Sequence, residues 1–460
     1  MLIRNAEIRG HGLADLRIAQ GRIAAIGTLA PLPGEPVRDA GGGALLPGLH
    51  DHHVNLAAAA VRRISVSCGP PDVTDAPALA RALDLPGSGW VRGVGFHESV
   101  LGGELPDRHA LDRLMPHRPL RIQHRTGRMW LLNSMALDDL LARAEPPPGL
   151  DRQSGRLFDE DAWLQRALAA TPPDLSGVGA ELARCGVTGV TDMSPRNDPA
   201  MAAHFAAQRR TGRLAQRLVL AGAPELADAP PDGWHLGPLK LHLHEAAMPG
   251  FDEALAFVRA GRARGRPLAV HCVTEVELIF ALALIEECGA MAGDRIEHVS
   301  VASPELVERM AALGLWACVQ PHFIAERGDR YLADVEPRHH ADLYRLRSLR
   351  DAGLAMAGGS DAPYGSLDPW TAMAAAVSRR TPAGAVIGAD EALTPEQALS
   401  LWLADPLDLS RERRIAPGAA ADLCLLDRPW AQARERLCAR DVAATWIGGD
   451  PAWGLNRSSS

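Results

Sequence analysis

Lysine is nearly absent from this chain. Of the 48 lysine and arginine residues only Lys240 is a lysine, in the segment "GPLKLHLHE" (237–245), whereas a soluble domain of this length usually holds on the order of twenty. Arginine stays protonated under physiological conditions, but a buried lysine can lose its proton and react as a nucleophilic amine, for example with CO2. The single lysine is therefore either a chance survivor on the surface or a residue whose chemistry arginine cannot replace.

Other absences narrow the class of protein. The seven cysteines are scattered without a CxxC pair, which argues against a disulfide framework or a zinc knuckle and favours reduced thiols in the cytoplasm. No apolar run approaches the roughly 18 residues of a membrane span, and "MLIRNAEIRG" carries charges where a signal peptide has its apolar core. The net charge of -8 is spread along the chain, which argues against nucleic acid as the main partner. We expect a cytoplasmic protein with a small-molecule substrate and no membrane partner, and a homodimer stays open.

Both ends of the chain read as short strands. "ADLRIAQGRIAAIG" near the N-terminus and "ADLCLLDRPW" near the C-terminus mix apolar and polar residues at strand-like spacing and are bounded by turn residues. The residues between these two ends follow a different apolar pattern. We therefore expect residues 1–44 and 412–455 to form one small β-sandwich domain. The tail 456–460 is predicted to be disordered.

The middle of the chain alternates short apolar runs with helical stretches, which is typical of βα units and a parallel sheet. Eight such units predict an α/β fold, a (β/α)8 TIM barrel over residues 45–411. The gap after the first strand is too long for one connection, so it should hold an inserted subdomain at 62–175. The candidate strands are 44–53, 187–193, 216–222, 238–244, 267–272, 295–300, 315–321 and 354–361.

Polar, ligating side chains lie on or at the ends of five of these strands. They are His53 in "DHHVN", Lys240, His271, His298 in "IEH" and Asp361 in "GSD". The carboxyl ends of barrel strands meet on one face, where the active site lies. Each residue alone has a structural explanation, such as a hydrogen-bonded histidine or a helix-capping aspartate. Together they predict a site for zinc or a similar divalent ion.

A family resemblance extends over nearly the whole chain. The ordered segments "LLPGLHDHHVN", "GPLKLHLHE", "LAVHCVTE", "RIEHVSVAS" and "GGSDAPYGSLDP" resemble the amidohydrolase superfamily. With "GRMWLLNSMAL" in the insertion, the chain is similar to the family-3 branch, which includes YtcJ-like proteins and N-substituted formamide deformylases. The resemblance implies a metal-dependent hydrolase that cleaves an amide-like C–N bond with water activated by the metal.

The resemblance also implies a role for each residue of the site. His53 would bind the more exposed metal ion, and His271 and His298 would bind the more buried one. Lys240, converted by CO2 into a carbamate, would bridge the two zinc ions. Asp361 would bind or approach the metal and act as general acid and base. Since arginine cannot form a carbamate, this accounts for the survival of a single lysine.

One position departs from the family pattern. The second histidine of the strand-one motif falls on Asn55, a neutral and weak ligand for zinc. Three consequences are open: the exposed ion is lost or loosely held, His50 or His52 replaces the missing ligand, or the protein is inactive. Neighbouring residues of a strand point to opposite faces, which disfavours the replacement. We expect the buried ion to survive, so that one or two divalent ions bind.

Pocket residues are expected just beyond the strand ends and in a lid from the insertion. On a regular strand four, Lys240, His242 and His244 share a face, and His244 would be nearest the substrate. For the insertion residues, simple packing within the subdomain is an equal alternative. The candidates for substrate binding are His244, His322, His124, Arg128 and Trp130.

Three functions remain open at this point. The first is hydrolysis of an N-acyl amine, an N-acyl amino acid or a cyclic amide. The second is deamination, or hydrolysis of an ester or lactam, within the same superfamily. The third is a binding or regulatory protein with a decayed site. Asn55 allows this, but the retention of Lys240, His271, His298 and Asp361 argues against it.

Overall fold

A computed structural model of the chain describes residues 1–70, 72–169, 171–226 and 233–454. These residues belong to two compact units, one of Met1–Leu56 with the chain from Asp174 onward, and the other of Ala57–Pro173. The tail predicted at 456–460 lies outside the described residues. No helix among the described residues combines the length and the apolar character that a membrane span needs.

The first unit is built on eight parallel strands. Each strand pairs with the next one along the chain, and strands 1 and 2 are buried at every position, as expected where both faces of a parallel sheet are covered. Backbone hydrogen bonds from Asp361 to His53 (2.6 Å) and from Asn55 to Ala362 (2.9 Å) join strand 1 to the turn after strand 8. This confirms the predicted barrel. Barrel strands 1 to 8 are Leu49–Val54, Val187–Asp192, Arg217–Gly222, His235–His242, Leu268–Cys272, Arg295–His298, Trp316–Val319 and Ala355–Gly358.

Helices follow the barrel strands and begin at polar caps. The helix Glu275–Cys288 starts in a capping box in which Thr274 and Glu277 satisfy each other's backbone N–H groups. The α-helices of this unit are Ser176–Arg184, Pro199–Arg210, Phe251–Arg262, Glu275–Cys288, Pro304–Ala312, His322–Asp334, Leu346–Asp351, Pro369–Ser378, Pro395–Leu403 and Trp430–Ala433. Short 3-10 helices are Glu245–Ala247, Pro337–Asp342, Ala389–Glu391 and Ala439–Asp441.

The single strand predicted at 44–53 is wrong, because two strands occupy this stretch. Ala44–Pro47 pairs with Leu423–Leu426 in the sheet of the chain ends, and Leu49–Val54 opens the barrel. Gly48 lies between them, where an added Cβ would come within 2.2 Å of the Thr188 side chain. A glycine is required at this crossing, and it separates two runs that read as one in the sequence.

Both chain ends form a second sheet domain, as predicted. The strand Leu2–Ile8 pairs with Gly12–Ala19, and apolar residues from both ends share one core, with Trp446 fully buried in it. In order across the sheet the strands are Asp450–Trp453, Val442–Ile447, Leu423–Leu426, Ala44–Pro47, Leu2–Ile8, Gly12–Ala19 and Arg22–Gly27, with Val37–Asp39 also paired to Leu2–Ile8. A separate hairpin joins Ala404–Asp405 and Asp408–Glu412.

The second unit has its own sheet with helices and its own apolar clusters. Across the sheet the strands are Leu150–Asp151, Arg156–Phe158, Met129–Leu132, Leu120–His124, Val91–Phe96 and Val66–Ser67. Its helices are Ala76–Leu83, Arg108–Leu114, Ser134–Leu141 and Asp161–Ala167, the 3-10 helix is Glu98–Leu101, and the helix Leu56–Arg63 begins at the boundary of the two units.

Candidate metal centre

Four histidine rings form a row at the carboxyl ends of the barrel strands. The rings of His242 and His271 are 4.2 Å apart, those of His271 and His298 are 4.5 Å apart, and those of His298 and His53 are 4.8 Å apart. Parallel register explains the row, since His242 pairs with His271 and Cys272 with His298 on adjacent strands. The structure therefore brings together the three histidines that the sequence singles out for metal binding.

Lys240 is buried beside this row with 3% of its surface exposed. Its Nζ atom has no hydrogen-bond partner among the described residues. Burial lowers the pKa of its ammonium group, against the opposing effect of the Glu297 carboxylate. Because an unpaired buried ammonium is costly, burial shifts the equilibrium toward the neutral amine. A neutral lysine amine is the form that reacts as a nucleophile.

His53 lies between two carboxylates. Its Nδ1 is 2.6 Å from Glu297 Oε2, and its Nε2 is 3.3 Å from Asp361 Oδ1. Burial and Lys240 lower the pKa of His53, but the negative charges of Glu297 and Asp361 raise it more. The bond to Glu297 fixes the ring and directs Nε2 toward Asp361, in surroundings that favour a positive charge.

His298 is oriented in a similar way by Gln320. The Gln320 Oε1 atom lies 2.8 Å from His298 Nδ1, which leaves Nε2 buried and without a partner among the described residues. Burial lowers the pKa of His298 to about 3, and burial together with His298 strongly lowers the pKa of His271. Both rings are therefore neutral near pH 7, which is the state that binds metal.

Asp361 is held by Asn55 as well as by His53. Asn55 Nδ2 donates to Asp361 Oδ1 at 3.1 Å, and Asn55 Oδ1 accepts from Ser194 Oγ at 3.4 Å. Burial raises the pKa of Asp361, but the charge and hydrogen bond of His53 lower it below its usual value. Asp361 is therefore a carboxylate whose Oδ1 atom carries both contacts. Asn55 acts here as a hydrogen-bond donor, and its role as a metal ligand stays a prediction.

The backbone is strained where these side chains emerge. His298, Val299 and Asp361 have φ angles of 73°, 48° and 49°, in the left-handed region that residues other than glycine rarely adopt. The β-branched Val299 is the least suited of the three to this conformation. Strained backbone of this kind concentrates at functional sites, which agrees with a site at the ends of strands 6 and 8.

The residues present fit a divalent ion. Lys240 Nζ and His298 Nε2 are buried polar atoms without partners, and both belong to the cluster with His271, His53 and Asp361. Neutral imidazoles, a carboxylate and a lysine that can gain a carboxylate are nitrogen and oxygen donors of the kind that zinc accepts. A cation at this place would bind nitrogen and oxygen lone pairs in a cluster where some polar atoms have no hydrogen-bond partner among the described residues.

A second group of potential ligands overlaps this one. His53, Glu297 and Cys318 offer ligand atoms that all lie within 4.8 Å of one another. However, Glu297 already accepts from His53 and from the Arg295 guanidinium through both of its oxygens. Burial raises the pKa of the Cys318 thiol well above its usual value. The adjacent guanidinium and the neutral thiol make this group the poorer cation site.

The histidines next to His53 face a different environment. His50 Nε2 is 2.9 Å from Thr191 Oγ1, and the rings of His50 and His52 lie 4.5 Å apart. Burial lowers the pKa of both rings well below the usual value. His50 thus has a hydrogen-bond partner, whereas both ring nitrogens of His52 are buried without one among the described residues. The alternation of a strand places both rings on the side opposite to that of His53.

The predicted pocket residues have varied surroundings. His244 is exposed, and its Nδ1 accepts from the Ala246 backbone at 3.2 Å. His322 is fully buried, and its Nε2 donates to the Ser360 carbonyl at 3.0 Å, which supports the turn that carries Asp361. Strand 4 ends at His242, and its ring lies beside that of His271 on the neighbouring strand. The substrate roles of His244 and His322 stay predictions.

The candidates in the insertion have partners within their own unit. His124 Nε2 lies 3.2 Å from Glu98 Oε2. Arg128 forms an exposed ion pair with Asp159, and Trp130 is buried and donates to Asp161 Oδ1 at 3.0 Å. These contacts agree with packing inside the insertion, and a role in substrate binding stays a prediction for all three.

Sequence reasoning missed the residues that orient the histidines. Glu297 lies inside the quoted "IEH" segment and Gln320 follows strand 7 in "CVQP". The signal for Glu297 is a carboxylate directly before His298 in a short strand that is buried at every position. Gln320 carries no comparable signal, since a glutamine at a strand end is unremarkable without its partner.

Comparison with known proteins supports the fold and the chemistry. The profile described as "Amidohydrolase family" matches residues 36–452. The chain belongs to the amidohydrolase family. An N-substituted formamide deformylase of Arthrobacter pascens is 26% identical over 522 aligned residues, covering 97% of this chain and 96% of that protein. The putative amidohydrolase YtcJ of Bacillus subtilis (strain 168) is 25% identical and covers 89% and 88% of the two chains.

A solved structure shares the fold. The crystal structure of an uncharacterized metal-dependent hydrolase from Pyrococcus horikoshii OT3 superposes with a TM-score of 0.77 at 20% identity, covering 93% of this chain and 97% of that one. The fold match confirms the predicted barrel, and the family match confirms the predicted amidohydrolase.

Proposed function

We propose that this protein hydrolyses an amide-like C–N bond of a small molecule at the cluster around Lys240. The observation that carries the proposal is a pair of buried atoms, Lys240 Nζ and His298 Nε2, which have no hydrogen-bond partner among the described residues and lie next to the Asp361 carboxylate at one end of the barrel. The substrate classes are N-acyl amines, N-acyl amino acids and cyclic amides. N-substituted formamides are tested first, because a relative aligned over nearly its whole length is named for them.

We propose that Lys240 is carboxylated by CO2. Its buried amine has no hydrogen-bond partner within the part of the chain that the structure describes. Burial lowers its pKa, which favours the nucleophilic amine form. The carbamate would replace an unsatisfied donor with two acceptor oxygens. Together with His271 and His298 it would hold one zinc ion. A divalent ion there would polarise the scissile carbonyl and make water more acidic.

Asp361 is the proton carrier in this proposal. His53 and Asn55 both contact Oδ1, so they hold the carboxylate in place and direct Oδ2 as the basic atom. Oδ2 takes a proton from the attacking water and returns it to the leaving nitrogen as the C–N bond breaks. The products are a carboxylic acid and an amine. His242, at the open end of the histidine row, is placed to contact the leaving group.

A substrate screen with a matched variant tests the proposal. Protein purified with zinc and bicarbonate is assayed for amine release from N-substituted formamides, N-acyl amines, N-acyl amino acids and cyclic amides. Asp361→Asn should lower kcat by about 10²–10⁴-fold, the usual contribution of general acid–base catalysis, while bound zinc is largely retained. Equal turnover by the Asn variant would remove Asp361 from the reaction. Metal-loaded protein that releases no amine from any of these substrates would contradict the proposed function.

A further inference from the structure

Two arginines stand side by side in the sheet of the inserted unit. Arg92 and Arg121 are register partners on the strands Val91–Phe96 and Leu120–His124. Both side chains are half-buried, and their guanidinium carbons lie 5.1 Å and 5.3 Å from the centre of the Trp130 ring. Like charges placed opposite each other on neighbouring strands destabilise a sheet. Some other charge should therefore compensate this pair.

The described residues supply little compensation. Neither guanidinium forms an ion pair with a carboxylate among them, and both Nε atoms are buried without a hydrogen-bond partner. Arg92 reaches Gln123 Oε1 at 3.5 Å, a long hydrogen bond. Asp161 exerts an opposing charge on both arginines, but its Oδ1 accepts from the Trp130 indole at 3.0 Å. Burial, followed by the charge of Arg92, lowers the pKa of Arg121 to about 10.

We propose that Arg92 and Arg121 together bind a small oxyanion, a carboxylate or a phosphate group, beside Trp130. A guanidinium group offers N–H donors that match the oxygens of such an anion. Trp130 is 3% exposed and is held by Asp161, so its ring fixes both guanidinium groups through cation–π contacts. One bound negative charge would relieve the repulsion between the arginines and satisfy their unpaired donors.

A purely structural role is the competing explanation. Arg121 also lies 5.9 Å from the Trp90 ring, so the two arginines and the two tryptophans form one stack of side chains. Under this explanation the stack stabilises the unit without any ligand. The two explanations predict different effects of removing one arginine. The effects concern the unfolding temperature without anion and the affinity for the anion.

Calorimetric titration of the whole chain with inorganic phosphate, and separately with acetate, at fixed ionic strength tests the proposal. Arg121→Gln should weaken binding of the preferred anion by roughly 10-fold or more, because charged hydrogen bonds are lost. The control is Arg125→Gln, which removes an exposed arginine of the same unit and should bind as the wild type does. Anion bound at the barrel site would be unaffected by either variant. The preference between phosphate and acetate identifies the class of ligand.

Thermal unfolding of the same proteins completes the test. Without anion, Arg121→Gln should unfold at or above the wild-type temperature, since a like charge has been removed. Arg121→Lys, which keeps the charge but loses the planar fork, should also bind the anion more weakly if the Gln variant fails to fold. Equal binding by all variants would mean an adventitious ion only. A lower unfolding temperature for Arg121→Gln with unchanged anion affinity would establish the structural stack and overturn the proposal.

Discussion

His53 and His298 present the same kind of ring nitrogen to the centre of the site because each has its other nitrogen bound. Glu297 contacts His53 Nδ1 at 2.6 Å and Gln320 contacts His298 Nδ1 at 2.8 Å. Partners of this type fix the tautomer and the ring angle of a metal-binding histidine. The site is therefore set up by residues that need not touch a metal ion themselves.

Removal of the Gln320 acceptor should loosen metal binding. We expect Gln320→Met, which keeps the length of the side chain, to weaken zinc affinity by roughly 10–100-fold. Chelator competition measures the affinity directly, without reference to turnover. Gln320→Glu keeps an acceptor oxygen and should retain more of the affinity than the Met variant. Equal affinities in wild type and Met variant would show that the hydrogen bond does not orient His298 for metal.

Replacement of Lys240 should distinguish a role of its positive charge from a role of its carbamate. Lys240→Arg keeps a positive charge but cannot form a carbamate, so we expect a folded protein without activity. Lys240→Ala should leave space at the same place, and added acetate or propionate should restore part of the rate and of the bound metal. Turnover near the wild-type level in the Arg variant would exclude the carbamate. Failure of short carboxylates to restore metal binding in the Ala variant would weaken it.

The turn after barrel strand 8 is an element whose geometry the site depends on. Gly359 passes directly over strand 1, and a Cβ there would lie 2.4 Å from His53 Cβ and 2.7 Å from the His53 backbone nitrogen. Backbone atoms cannot move aside as a flexible side chain can. This turn also carries Asp361, so a shift of the turn would displace the proposed proton carrier.

Substitution at this glycine should be costly for stability. We expect Gly359→Ala to destabilise the protein by about 1–3 kcal/mol, the usual cost of overpacking, and to lower activity by displacing Asp361. Gly250→Ala is the matched control, because an added Cβ there meets no atom within 4 Å. Thermal or chemical unfolding compares the two. Equal stability of both variants would show that strands 1 and 8 tolerate a wider spacing than the structure has.

Strand positions were readable from the sequence where a strand is buried on both faces. "VTGVTDM" and "PLAVHC" lie over the observed Val187–Asp192 and Leu268–Cys272, since buried parallel strands are short apolar runs bounded by turn residues. The prediction of a single strand at 44–53 was wrong for a related reason. Two apolar runs meet at Gly48 there, and only the three-dimensional crossing at Thr188 separates them.

The residues that form the candidate site could be predicted, but the partners that orient them could not. His53, Lys240 and Asp361 follow from residue type and from position at strand ends. Glu297 and Gln320 depend on pairs that are 244 and 22 residues apart in sequence, and no local pattern encodes such pairs. The hydrogen bond from Asn55 to Asp361 is a further example. The sequence motif shows that a histidine is missing at position 55, but it does not show which contact the asparagine makes.

For the molecule as a whole, we propose one tightly held metal ion per chain. Asn55 donates to Asp361 instead of offering a strong nitrogen ligand to a second ion. We therefore expect about one tightly held zinc per chain after brief chelator treatment, measured by elemental analysis. Asn55→His supplies an imidazole at that position and should raise the count toward two. Two equally resistant ions in the wild type would show that Asn55, or a neighbouring histidine, is an adequate ligand.

The location of the bound ion tests the central claim most directly. A crystal of the protein grown with zinc and bicarbonate is measured at the zinc absorption edge, and the anomalous difference map shows where the metal lies. We predict one strong peak bounded by Lys240, His271 and His298, with density for a carboxylate on Nζ. A peak within the group of His53, Glu297 and Cys318, or no peak at the barrel strand ends, would contradict this account.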